Sequence, residues 1–254
     1  MQLCYLHAFD FLDKESKDVF VKHIVSVMHK LTATKYHLKN YIRIESEMFT
    51  QAVKGFKRNP NQNREAFELI HELEAFLFQL KSSLDVMVKV LQPILRNNCH
   101  IRTTSFGDKG DKIIKGLESL KKNKKNNVQA IDNLISLIKD DKDSWLETTI
   151  KFRDELNHYE ALSNYTFKPM KLPNGQLTAI KPKFRDMETV RFMRLVYANN
   201  IEFQQDFITL ALLLRLPGSI CLVPAELKEV QKFFNDHDSC KYIKWGFAML
   251  NPVT

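Results

Sequence analysis

Ala66, Ile70, Leu73, Leu77, Leu80, Leu84, Met87 and Leu91 recur at alternating spacings of four and three. An α-helix turns once in 3.6 residues, so these side chains form one unbroken seam along one helix. Phe67, Phe76 and Val88 widen the seam beyond the narrow contact line of a two-stranded coil. This predicts the central helix of a bundle, ended or kinked at Pro93. A coiled coil is the alternative, but the flanking segments carry no comparable seam.

The rest of the chain reads as helices around that one. Phe20, Ile24, Val27 and Leu31, then Leu38, Tyr41 and Met48, mark a long helix from Glu15 to about Phe56, broken at Asn59-Pro60-Asn61-Gln62-Asn63. Asn97 to Gly110 reads as a loop and Lys112 to Leu120 as a short helix. Val128, Ile131, Leu134, Ile135 and Ile138 form a further amphipathic helix, which Asp140 to Asp143 should end. The following helix shows Trp145, Thr148, Phe152, Leu156 and Tyr159 on one face. Asn174-Gly175 between two short runs, Thr166 to Leu172 and Gln176 to Ile180, is a hairpin signal. Asp186 can cap a long helix to about Leu216, on whose stripe lie Val190, Met193, Tyr197, Asn200, Phe207, Leu210 and Leu214. Pro217-Gly218 stops it, and Pro224 opens a last helix through Phe234. With 7 Gly and 8 Pro in 254 residues, the chain lacks the turns of a sandwich or barrel. The expectation is an all-α fold, an antiparallel bundle with a small β-hairpin near 165–183. No clear domain boundary is visible, so residues 1–254 read as one helical domain.

Lys and Arg exceed Asp and Glu for a net charge of +8. That balance favours polyanionic partners, although a lysine-rich solvated surface gives the same number. Lys121-Lys122-Asn123-Lys124-Lys125 has the same two readings, a solvated loop or a phosphate-contacting patch. Cys4, Cys99, Cys221 and Cys240 show neither CxxC nor zinc-ligand spacing, which suits a reducing cytoplasm. No signal peptide is visible. The most apolar run, Phe207 to Val223, is interrupted by Arg215, Pro217 and Gly218, so no membrane span or membrane partner is expected.

Dinucleotide, Walker, HExxH and GxSxG motifs are missing from the sequence, so no cofactor and no metal site is expected. His23, His29 and His37 on the first helix, and Glu68, His71 and Glu72 beside the seam, read as solvated groups.

One segment carries chemistry: Arg153-Asp154-Glu155-Leu156-Asn157-His158-Tyr159. Arg, a polar residue and a His a few positions on resemble the Arg-x4–6-His motif of the HEPN superfamily. Leu80-Lys81-Ser82-Ser83-Leu84-Asp85 resembles a Ser-small-Leu-Asp stretch on a middle helix of bacterial HEPN-like proteins. The resemblance spans about 63–165, leaving 186–236 as a helical extension. Arg64 and His71 match the spacing too, but Arg64 is followed by Glu65. Glu160 stands where one toxin branch carries a Tyr two places after the His.

The resemblance implies a metal-independent endoribonuclease acting through the substrate's 2′-hydroxyl. His158 would transfer protons near neutral pH, and Arg153 would stabilise charge growing on phosphorus. Asp154 would orient His158. Substrate contacts would fall to Asn157, Tyr159, Asp85, Ser82, and to Lys168 and Lys171 of the hairpin. On a helix Phe152, Leu156 and Tyr159 face the core, while Asp154 and His158 face away. The resemblance therefore also implies a homodimer with the active cleft between protomers, and a setting in phage defence or beside an antitoxin protein. A non-catalytic HEPN-like module binding RNA or protein, and a helical interaction protein without nucleic-acid function, are the alternatives.

Overall fold

The seam predicted from spacing alone is buried in the computed structural model at every position but Ile70, which is half-buried. Ala66, Leu73, Leu77, Leu80, Leu84, Met87 and Leu91 are all solvent-excluded, joined by Leu69, Phe76 and Val88. Phe67 departs from expectation: it opens the helix and stays 61% exposed. The structure describes residues 13–59, 64–95, 105–107, 110–122, 128–157, 165–184, 187–214, 220–224 and 245–249.

Helix α1 spans Lys14–Arg58. Asp13 caps it, accepting the Ser16 backbone N–H at 2.8 Å. Strand β1 is Arg64–Glu65, helix α2 is Phe67–Lys89 and helix α3 is Leu91–Leu95. Helices α4, Asp111–Leu120, and α5, Val128–Asp141, follow. A π-turn, Lys142–Leu146, runs directly into α6, Glu147–Asn157. Strands β2, Thr166–Lys171, and β3, Leu177–Ile180, form the expected hairpin. Strands β4, Lys183–Phe184, and β5, Met187–Glu188, precede helix α7, Thr189–Leu213. Strands β6, Ile220–Pro224, and β7, Trp245–Met249, pair antiparallel. The fold is thus mostly helical with small antiparallel sheets. No helix among the described residues is long and apolar enough to cross a membrane.

Two sequence expectations are corrected and one is refined. Helix α5 does end within Asp140 to Asp143, at Asp141, but the chain keeps winding there. Asp141 accepts the Trp145 indole N–H at 2.5 Å and Lys142 reaches Asp111 at 2.7 Å, so these side chains are engaged while the backbone winds on through the wide turn. Between the buried Trp145 and Phe152, Thr149 is buried and the expected Thr148 is exposed. Pro224 does not open a helix; it ends β6 opposite Trp245. The rest of the helix expected to run to Phe234 lies outside the described residues, as does Asp186, the expected cap of α7.

The chain divides into two compact units. The first comprises Met1–His29, Ser82–Glu147 and Asn199–Thr254. Its core centres on Phe203, whose ring meets Phe106, Trp145 and Phe207 at centroid distances of 5.7, 6.0 and 5.9 Å. Gly110 opens α4 at φ +91°, where a Cβ would lie 2.7 Å from an Ile138 methyl, so only glycine fits there.

The second unit comprises Lys30–Lys81 and Thr148–Ala198. Its sheet has the order β1-β2-β3, with Arg64 opposite Phe167 and Lys168 opposite Ile180. Gly175 takes φ +83° in the turn, and Asn174 accepts the Gln176 N–H at 3.0 Å, which is why Asn-Gly was readable as a hairpin. Phe167 and Ala179 bury one face of the ribbon.

Candidate functional site

Helix α6 positions the motif. Phe152 is buried and anchors the helix against Phe184 and Phe192 at 4.6 and 5.5 Å, as its place on the apolar stripe predicts. Arg153 follows, and its environment differs from a solvated side chain. It is 25% exposed, its Nη2 lies 3.0 Å from Asp154 Oδ1, and its Cζ stands 5.7 Å from the centroid of the Phe78 ring. Its Nε is buried and has no hydrogen-bond partner among the described residues. An arginine held by a carboxylate and an aromatic face keeps its planar fork in a fixed orientation while retaining donor capacity. Unlike Asp154, which faces away as expected, Arg153 is partly covered. Phe78 of α2 covers part of it.

Asp154 is 54% exposed and engages Arg153. His158 and Tyr159 lie outside the described residues, as does the Asn157 side chain, so the Asp154–His158 pairing read from the sequence falls there too. Lys168 and Lys171 are exposed on β2.

Ser82 and Asp85 belong to the first unit. Asp85 Oδ1 accepts the Phe106 backbone N–H at 2.7 Å and so holds the loop that delivers Phe106 to the core. The neighbouring Ser83 is fully buried and accepts from Asn200 Nδ2 at 3.1 Å and Gln204 Nε2 at 2.7 Å. Ser83 and Asp85 of this stretch thus serve packing. Lys121, from the basic run, pairs with Asp132, which accounts for it as a structural cation.

The second unit also holds groups that the sequence reading passed over. Tyr41 donates to the Tyr165 hydroxyl, which donates to Thr189 Oγ1 at 2.8 Å, which in turn donates to the Pro182 carbonyl at 3.4 Å. Burial pushes both phenols well above the usual tyrosine range, and Glu45 nearby adds to it. Glu45 is almost wholly buried. Its Oε2 accepts from Lys181 Nζ at 2.6 Å, and its Oε1 has no partner among the described residues. Lys181 also stands 5.8 Å from the Phe49 ring centroid. The signal was present: Glu45 sits at the seam spacing defined by Leu38, Tyr41, Ala52 and Phe56.

His37 and Glu72, read as solvated, instead meet at 2.8 Å with only a fifth of each side chain exposed, and Asn40 reaches the same carboxylate at 3.5 Å. They pair because α1 and α2 bring their polar edges together within this unit. Among the described residues no group of three His, Cys, Asp or Glu is placed to hold a metal ion. Comparison of the chain with protein families, with curated proteins and with solved structures finds no match.

Proposed function

We propose that this protein is a metal-independent endoribonuclease of the HEPN type, acting on RNA in the cytoplasm as a homodimer whose cleft lies between protomers. Arg153 is the observation that carries the reading. It is a partly covered arginine, fixed by Asp154 and Phe78, with a buried and unpartnered Nε, on the helix whose sequence continues to His158. A phosphate oxygen is a natural acceptor for the outer N–H groups of such a guanidinium.

In the proposed reaction the substrate's 2′-oxygen forms a bond to the adjacent phosphorus and the P–O5′ bond breaks. The products are a 2′,3′-cyclic phosphate and a 5′-hydroxyl. One His158 takes the 2′-proton and an imidazolium returns a proton to the 5′-oxygen, while Arg153 stabilises the extra charge on phosphorus. Two motifs facing one groove supply both proton-transfer groups. The setting that the resemblance implies for this activity is phage defence or a toxin system with an antitoxin protein.

The test is cleavage of labelled RNA by the wild type and by His158→Ala and Arg153→Ala. Each variant should lose at least about a hundredfold in rate. Undiminished cleavage by both would overturn the assignment. RNA that binds but stays intact would instead support the non-catalytic module.

A further inference from the structure

Three phenylalanines from three elements pack together in the second unit. Phe152 of α6, Phe184 of β4 and Phe192 of α7 lie at mutual centroid distances of 4.6, 5.0 and 5.5 Å. Each is buried, and each is preceded in the chain by an exposed cation: Lys151, Lys183 and Arg191. Arg194, also exposed, lies two residues beyond Phe192. Packing of the rings ties the three elements together, so the four exposed cations belong to one scaffold. None of the four makes an ion pair or hydrogen bond with a described residue. Of the acids near them, Asp154 is engaged by Arg153, Glu188 stands opposite Lys183 in the β4–β5 register, and Glu147 and Glu155 lie one helical turn to either side of Lys151 in the sequence. Met187 of β5 and Leu195 of α7 expose 39% and 51% of their surface.

The wider charge distribution agrees. Within the described residues of the second unit, Lys and Arg outnumber Asp and Glu by nearly two to one, whereas acids outnumber cations in the first. The surplus of the whole chain is therefore concentrated in the unit that carries Arg153.

We infer that Lys151, Lys183, Arg191 and Arg194 form the surface by which this unit takes the phosphate backbone of an RNA strand, an inference that rests on the RNA reading above. Cations distributed over three elements suit a polymer of phosphates better than one small anion, since each can neutralise a separate phosphate and release its counterions. The exposed Met187 and Leu195 add apolar area that unstacked bases of a single strand can cover.

The experiment is fluorescence anisotropy with a labelled single-stranded RNA, using the full chain carrying His158→Ala so that the probe stays intact. Replacing all four cations by Gln should weaken binding by about tenfold or more and lower the slope of log affinity against log salt by about three. The pair Lys151→Gln with Lys183→Gln should give about half that slope change. Lys151→Arg with Lys183→Arg should retain wild-type affinity, and Lys112→Gln with Lys115→Gln in the first unit should leave it unchanged. Wild-type affinity or an unaltered slope in the four-residue variant overturns the inference. So does loss of binding to phosphatidylserine vesicles with RNA binding intact. If that variant binds normally while cleavage still needs Arg153 and His158, the inference alone falls. If the wild type neither binds nor cuts RNA, the proposed function falls with it.

Discussion

The two units of this chain solve burial in different ways. The first places aromatic rings and neutral amides at its centre: Phe203 among Phe106, Trp145 and Phe207, and Ser83 accepting from Asn200 and Gln204. The second buries ionisable groups, with Glu45 paired to Lys181 and the phenols of Tyr41 and Tyr165 in one hydrogen-bond chain. Apolar cores follow shape, whereas buried charge must be matched partner by partner. The unit built on the costlier groups is also the one that carries Arg153 and the excess of positive charge.

That contrast makes the two centres fail differently. Phe203→Ala should cost about 3–5 kcal/mol, since it removes a ring touched on three sides and leaves a void. Urea denaturation measures it, and a loss below about 1 kcal/mol would deny Phe203 its central place. Lys181→Met comes next. It leaves the Glu45 carboxylate buried without its cation, and should cost about 2–3 kcal/mol, less than for a fully buried pair because Lys181 is 37% exposed. Adding Glu45→Gln to Lys181→Met should restore most of that loss, because the uncompensated charge is gone. A double variant as unstable as the single one would show that packing rather than charge sets the cost. Tyr165→Phe should cost about 1–2 kcal/mol, removing the link between Tyr41 and Thr189 while leaving the ring in place.

Legibility in the sequence follows the same division. The seam from Ala66 to Leu91 was readable because its eight positions are all apolar, six of them Leu or Ile, and the spacing is strict. The hairpin was readable because Asn-Gly is local chemistry. Glu45 was missed although it sits on the seam of α1, because a charge on a seam reads as a break in the pattern until its partner is seen, and Lys181 is distant in sequence. The His37–Glu72 pair was hidden for the same reason. The π-turn was not foreseen because Asp140 to Asp143 have the composition of a helix end, while the partners that accompany the continued winding are Trp145, four residues on, and the distant Asp111. The pairing of β6 with β7 was lost because the chain between them is too long for a hairpin signal. At the candidate site the residue types of Arg153 and Asp154 were legible, but Phe78 beneath the guanidinium was not, since cross-helix contacts leave no local signature.

The smallest effect sits in the first unit and tests how little charge its interior tolerates. Asp141 is half-buried. Burial raises its carboxyl above the usual aspartate range, the Trp145 hydrogen bond opposes this, and Asp206, Glu202 and Asp140 add to the rise. An acid whose folded value lies above its unfolded value favours folding most when protonated. That contribution is full below the unfolded value and is lost as pH rises through the folded one. At neutral pH the ionised Asp141 therefore works against the fold. Asp141→Asn keeps an oxygen to accept the Trp145 N–H and removes the charge, so it should raise stability at pH 7 by less than about 1 kcal/mol, screened because the site is only half covered. The gain should vanish in acid, where the wild-type carboxyl is itself protonated. Melting temperatures of the two proteins from pH 7 down to the acid range measure this. A gain that persists in acid, or a loss at pH 7, would mean that Asp141 serves the π-turn through its charge and not only through its oxygen.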